Sequence, residues 1–229
     1  MGTGGSLGTP RPEGVGPLYT KEGHRRAQAL TREAVEAFAR SLKPGCREED
    51  GHRMLKEHLE RAGAENFWHP QKLRFGRNTT KSFREISDPD VTLREDDIFF
   101  VDIGPVFGGF EGDYGRTFVV GSPPAPMREA GGVAEAVFRA TAEAWLRDGL
   151  DGVRLYEFAA NYVKRFPGFG LDTRMSGHRV GDFPHALHHK GKLLDFTEVP
   201  TSGLWILEIL VRHESGEFGA FFEDLLERA

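Results

Sequence analysis

The stretch IFFVDIGPVFGGFEGDYGRTFVVG, residues Ile98 to Gly121, decides how this chain is read. Two runs rich in Phe, Val and Ile are broken by Pro105 and by Gly108-Gly109, the pattern of an antiparallel hairpin. A two-residue turn at Phe107-Gly108 predicts that Asp102 lies directly opposite Asp113. Facing residues in such a pair have Cβ atoms roughly 4.5–5.5 Å apart, where like charges repel, and Asp is depleted from strand interiors. Two acids embedded there need a compensating partner. A bound divalent cation supplies one; the alternative places one Asp in a turn and the other in solvent.

Working outward, the end of the chain repeats the arrangement. The runs Leu204 to Val211 and Phe218 to Leu226 flank Glu214-Ser215-Gly216-Glu217. A Ser215-Gly216 turn predicts Glu208 opposite Glu223. Each hairpin follows two amphipathic segments: helices are expected from Tyr19 to Leu42 and from about Glu48 to Ala62 in the first half. In the second they are expected from about Arg128 to Arg147 and from about Tyr156 to Arg165. Ser122-Pro123-Pro124-Ala125-Pro126 separates halves of about 17–121 and 127–229. A strand is expected over Asn66 to Phe75, a loop at 76–80, and an irregular connection over 81–97 that could line a pocket. Residues 1–16, rich in Gly and Pro, read as a flexible tail ahead of a single domain over 17–229.

Composition narrows the function. With 229 residues and 38% hydrophobic content the chain can build a sizeable core. A net charge of −5 without a basic stripe argues against nucleic acid as a partner. The one cysteine, Cys46, excludes an intramolecular disulfide and suits a reducing compartment. No apolar run approaches the ~18 residues of a membrane span, and the first residues lack a signal-peptide core. The expectation is a cytoplasmic protein with no membrane partner.

Between the two hairpins lies Ser176-Gly177-His178-Arg179-Val180-Gly181-Asp182-Phe183-Pro184-His185. Four acids embedded in apolar strands still lack a nitrogen ligand, and His178, between two glycines that permit close backbone approach, is the better candidate. These motifs together carry a resemblance. VDIG with Asp102, EGDYGRTF with Asp113, GHRVG with His178 and His185 seven residues on, Glu208 in an apolar strand and FFED with Glu223 resemble the methionine aminopeptidase, aminopeptidase P, prolidase and creatinase family, over about residues 20–226.

The resemblance implies the α+β pita-bread fold, two duplicated helix-helix-hairpin halves around a curved antiparallel sheet, with a dinuclear metal centre. It implies that Asp102 holds one divalent ion, His178 and Glu208 the other, and that Asp113 and Glu223 bridge both. Carboxylates with one imidazole suit Mn²⁺, Co²⁺, Fe²⁺ or Zn²⁺. The implied reaction is hydrolysis of an N-terminal peptide bond by a hydroxide shared between the ions, with Glu208 as general base and His185 bonding the substrate carbonyl.

Departures from the family pattern bear on substrate. A substrate-contacting histidine usual upstream of the first metal Asp is absent; that neighbourhood is Phe83-Arg84-Glu85. Phe221 stands where prolidase-like members carry an Arg, and Ile209 where a Pro often follows the first Glu. Arg74, Arg77, Lys81 and Arg84 could meet an acidic group on the substrate or form a solvated loop. The expected partner is a peptide or small amide, with homodimerisation left open. A hydrolase of a non-peptide amide and a binding module on the same fold are the alternatives.

Overall fold

The computed structural model describes residues 12–228. Helix α1 (Lys21–Ser41) starts where the Thr20 side chain accepts from the Gly23 N–H, which satisfies a donor the helix leaves orphaned. Helix α2 (Glu48–Arg61) follows the Pro44-Gly45 break. Strands β1 (Asn66–Phe67), β2 (Lys72–Phe75), β3 (Asp97–Ile103), β4 (Pro105–Phe107), β5 (Phe110–Glu111) and β6 (Tyr114–Val120) complete the first half.

The second half runs α3 (Ala125–Asp148), α4 (Gly152–Tyr162), β7 (Phe169–Leu171), β8 (His178–Arg179), β9 (Trp205–His213) and β10 (Gly219–Leu225). Helix α3 begins inside the expected linker, with a proline tolerated in its first turn. Helix α4 starts earlier than the apolar spacing predicts, because Asp151 caps it by accepting from the Arg154 N–H at 2.8 Å.

The principal sheet is antiparallel, with strand order β2-β3-β6-β10-β9-β7 and β8 paired beside β9. It therefore consists of one three-strand set from each half, joined where β6 pairs with β10. Both faces are covered, which explains why the strands read as nearly unbroken apolar runs. Phe99, Val101, Leu207, Ile209 and Phe222 pack with Val35, Phe38 and Val137 of the helices. The alternate residues Phe100, Leu210 and Phe221 form a smaller cluster with Met175 on the other face. The acids lie on that second face.

The first hairpin corrects the expected register. The turn is Gly108-Gly109, with φ of +60° and +78°, values that suit a two-residue hairpin turn and that only glycine adopts freely. Phe107 pairs with Phe110 and Asp102 with Gly115, not Asp113. The slip is two residues, so Asp113 keeps the face it was expected to have. The second hairpin has the expected register, with Glu208 opposite Glu223. The expected strand over 66–75 is split into β1 and β2, and Trp68 and His69 occupy the break.

Residues 1–11 of the expected tail lie outside the described residues, but 12–16 run against the domain. Arg179, 1% exposed, donates to the carbonyls of Pro12 at 3.2 Å and Gly14 at 2.6 Å. Glu13 accepts from the Trp205 indole N–H at 2.6 Å. Among the described residues no helix is long and apolar enough to cross a membrane.

Candidate metal centre

Cross-strand pairing sets a row across four strands: Asp102 on β3, Gly115 on β6, Glu223 on β10 and Glu208 on β9 are successive direct partners. Residues so paired share a face of the sheet. Asp113, two residues before Gly115, is fixed by helix α1. The Gln28 side chain accepts from the Asp113 N–H at 2.9 Å and donates to its carbonyl. Glu208 is fixed by helix α4 in a parallel way: the Tyr156 hydroxyl donates to its carbonyl at 3.0 Å and accepts from its N–H at 3.3 Å. Its Oε2 accepts from the Gly177 N–H at 2.7 Å.

Two imidazoles reach the acids. His178 Nε2 lies 2.9 Å from Asp113 Oδ2 and 3.8 Å from Glu208 Oε1. His69 Nε2 lies 3.6 Å from Asp102 Oδ1 and 3.5 Å from Asp113 Oδ1. The structure thus brings together all five residues expected to hold metal, Asp102, Asp113, His178, Glu208 and Glu223, and adds His69.

Burial and mutual repulsion set the protonation of the cluster. Burial pushes Asp102 up to about 7, against the opposing pull of His69. Burial, reinforced by repulsion from Asp113, Asp102 and Glu208, holds Glu223 well above the carboxylate range. Burial would raise Asp113 too, but His178 and His69 outweigh it and keep that group below its ordinary value. Burial would lower His178, yet Asp113 and Glu208 drive it up to about 10. Glu223 Oε1 is buried with no hydrogen-bond partner, an expensive state for a carboxylate oxygen. Oxygen-rich, anionic and supplied with imidazole, the residues fit divalent metal.

Asp102, His178 and Glu208 line a cleft of about 410 Å³. Trp68, Phe83, Met175, Phe183 and Pro184 give it an apolar wall, and Lys190 and Lys192 stand at its side. His185 enters from the short helix that follows Pro184. Its Nδ1 lies 2.7 Å from a carboxylate oxygen of Glu111, and its N–H donates to the other at 3.0 Å. Glu111 is fully buried and also accepts from the Gly181 N–H. Glu111 accepts the hydrogen bond from His185 Nδ1–H, which leaves Nε2 for the cleft.

Of the basic residues in the 74–84 region, only Arg84 lines the cleft. Arg74 is 3% exposed and donates to the Ser82 and Glu85 carbonyls, an internal brace. Arg77 and Lys81 pair with Asp88. His69, Trp68 and Glu111 escaped sequence reasoning. Trp68 packs edge-on against His69, His178 and His185, with ring centroids 4.3, 4.8 and 5.0 Å away. A Trp-His pair just before Pro70, where a strand must break, was the available signal.

The family model described as Metallopeptidase family M24 matches residues 22–227. Among solved structures, prolidase from Pyrococcus furiosus is similar at TM-score 0.71 and 21% identity, over 89% of this chain and 59% of that one. An X-Pro aminopeptidase from Thermotoga maritima is similar at 0.72 and 16%, over 91% and 60%. Methionine aminopeptidase from Thermotoga maritima is similar at 0.71 and 16%, over 94% and 98%. The chain therefore spans about three-fifths of the first two and nearly all of the third. Comparison of the sequence with curated proteins finds no match.

Proposed function

The chain belongs to metallopeptidase family M24, with the pita-bread fold, and on that premise we propose that it is a two-metal hydrolase that releases the N-terminal residue of peptides. The observation that carries this reading is the row of acids on one sheet face beneath the cleft, joined by Asp113 and His178, with Glu223 Oε1 buried and without a partner. Four carboxylates carry the charge that two divalent ions neutralise. On the resemblance, Asp102 would hold one ion, His178 and Glu208 the other, and Asp113 and Glu223 both. Ions held there would supply a nucleophilic water at neutral pH and a Lewis acid for the carbonyl.

The protein groups divide the remaining work. Glu208, held by Gly177 and Tyr156, accepts the proton that the attacking water gives up. His185 presents Nε2 to the substrate carbonyl, and the Glu111 carboxylate compensates the ring's positive charge when that nitrogen carries a proton. The aromatic wall of Trp68, Phe83 and Phe183 favours an apolar side chain at the residue released. The protein is proposed to act in the cytoplasm.

Mn²⁺- or Co²⁺-dependent release of the first residue from a panel containing Met-Xaa, Xaa-Pro and neutral N-termini tests the reading. Activity lost in Asp113→Asn by about 10³-fold or more, the scale of several kcal/mol of charge stabilisation, supports it. A second reading, hydrolysis of a non-peptide amide, is favoured by Phe83 standing in the neighbourhood of the family's substrate histidine. It gains if the panel is untouched while metal binds stoichiometrically.

A further inference from the structure

Three observations on His69 point the same way. Its Nδ1 is 2.9 Å from the Pro70 carbonyl, and His178 Nδ1 is 2.9 Å from the Arg179 carbonyl. Each ring therefore gives its Nδ1 proton to the carbonyl of the residue that follows it. With Nδ1 so committed, Nε2 is the nitrogen that each ring turns toward the carboxylate oxygens, the one left free to ligate. The same tautomer lock orients metal-ligating histidines generally.

The distances fit. His69 Nε2 stands 3.6 Å from Asp102 Oδ1 and 3.5 Å from Asp113 Oδ1, the second a hydrogen bond at its longest and longer than the usual range. Two atoms each about 2.0–2.2 Å from one ion stand about 3.3–3.6 Å apart along a tetrahedral edge. The side chain is 8% exposed, and the space it fills is available because residue 104 is glycine: a Cβ there would come within 2.3 Å of the His69 ring.

The duplication supplies the third observation. The sheet order places β2 beside β3 in one half and β8 beside β9 in the other. His178 lies on β8, and His69 lies just before β2 on the opposite flank. Each half thus offers two acids and one imidazole.

We infer that His69 is a metal ligand, completing with Asp102 and Asp113 a first metal position that mirrors His178 with Glu208 and Glu223. This rests on the two-metal reading above. A nitrogen donor there raises preference for Co²⁺, Zn²⁺ or Fe²⁺ over Mn²⁺ at that position.

The test is Co²⁺ titration of the metal-free full chain, followed by visible absorption and calorimetry, for the unaltered protein, His69→Gln and His178→Gln. The inference expects two equivalents in the unaltered protein, and His69→Gln weakening one by on the order of 10²-fold, with a changed absorption envelope. Thermal unfolding of the metal-free variants controls for folding. Should His69→Gln not fold, proton NMR of the Co²⁺-loaded unaltered chain counts liganded imidazoles: two paramagnetically shifted ring N–H resonances are expected. Two equivalents bound unchanged by His69→Gln, or a single shifted resonance, would overturn the role of His69 alone. Failure of the unaltered chain to bind any Co²⁺ would overturn the two-metal reading with it.

Discussion

The two hairpins that meet at the middle of the sheet are built differently. The β9–β10 hairpin is uninterrupted, and Glu208 and Glu223 are direct partners within it. The β3–β6 hairpin is interrupted between Ile103 and Tyr114, where β4 and β5 leave the main sheet for a small one of order β1-β4-β5. That interruption releases Asp113 from the ladder, buries Glu111 beneath His185 and, at Gly104, admits Trp68 and His69. A regular hairpin places acids by pairing, with the Tyr156 clamp as an addition. An irregular one places them by side-chain clamps, and its displaced residues are free for other duties.

The largest effect expected from this difference falls on the residues the interruption serves. His185→Ala should lower kcat roughly 10²–10³-fold, the scale of losing one donor to a developing oxyanion. Glu111→Gln, which keeps the shape but weakens the anchor on Nδ1, should cost roughly 10–100-fold. No residue of the regular hairpin has an equivalent role. Steady-state kinetics with KM nearly unchanged would sharpen the comparison; equal losses in KM would break it.

The clamps give a smaller contrast. Gln28→Ala strips a buried partner from both backbone groups of Asp113, and should destabilise the fold by about 1–3 kcal/mol. Tyr156→Phe removes one hydroxyl from Glu208, whose strand is still laddered to β10, and should cost about 1 kcal/mol. Urea unfolding of the metal-free proteins measures both, and a larger loss for Tyr156→Phe would sink the idea that the interrupted hairpin depends more on its clamp.

The gentlest probe is pH. Asp102 and His178 have folded-state values above their ordinary ones, so the metal-free fold keeps protons that the unfolded chain has released. Its stability declines as pH rises from the unfolded Asp value to about 7, and again from the unfolded His value to about 10. Metal replaces those protons. The rise in Tm on adding Co²⁺ should therefore be larger at pH 8 than at pH 5, read by differential scanning calorimetry; the opposite trend would contradict the proton-for-metal exchange.

The contrast also explains what the sequence revealed. Period-two alternation reports which face a side chain takes, so the acids were legible on one face despite a turn misplaced by a residue. Helix and strand order were legible because turn residues such as Pro44-Gly45 and Ser215-Gly216 punctuate strong apolar patterns. Register across the interruption was not, since two adjacent glycines can turn at either of two places. His69 and Glu111 were illegible for a related reason: each sits where a strand breaks, and only tertiary packing says what a broken strand faces. The path of residues 12–14 is set by Arg179, more than 160 residues away in sequence, beyond the reach of local pattern.

Gly115 occupies the centre of the row, partnered by Asp102 on one side and Glu223 on the other. A Cβ there would come within 2.4 Å of the Phe221 ring and 2.6 Å of Glu223 Oε1. One methyl group at this position would take volume from the acids without removing any charge, and Phe221 and Glu223 would have to shift to admit it. Position 115 is thus where an engineer could crowd the site while keeping every charged side chain, separating the room that the acids need from the charge that they carry.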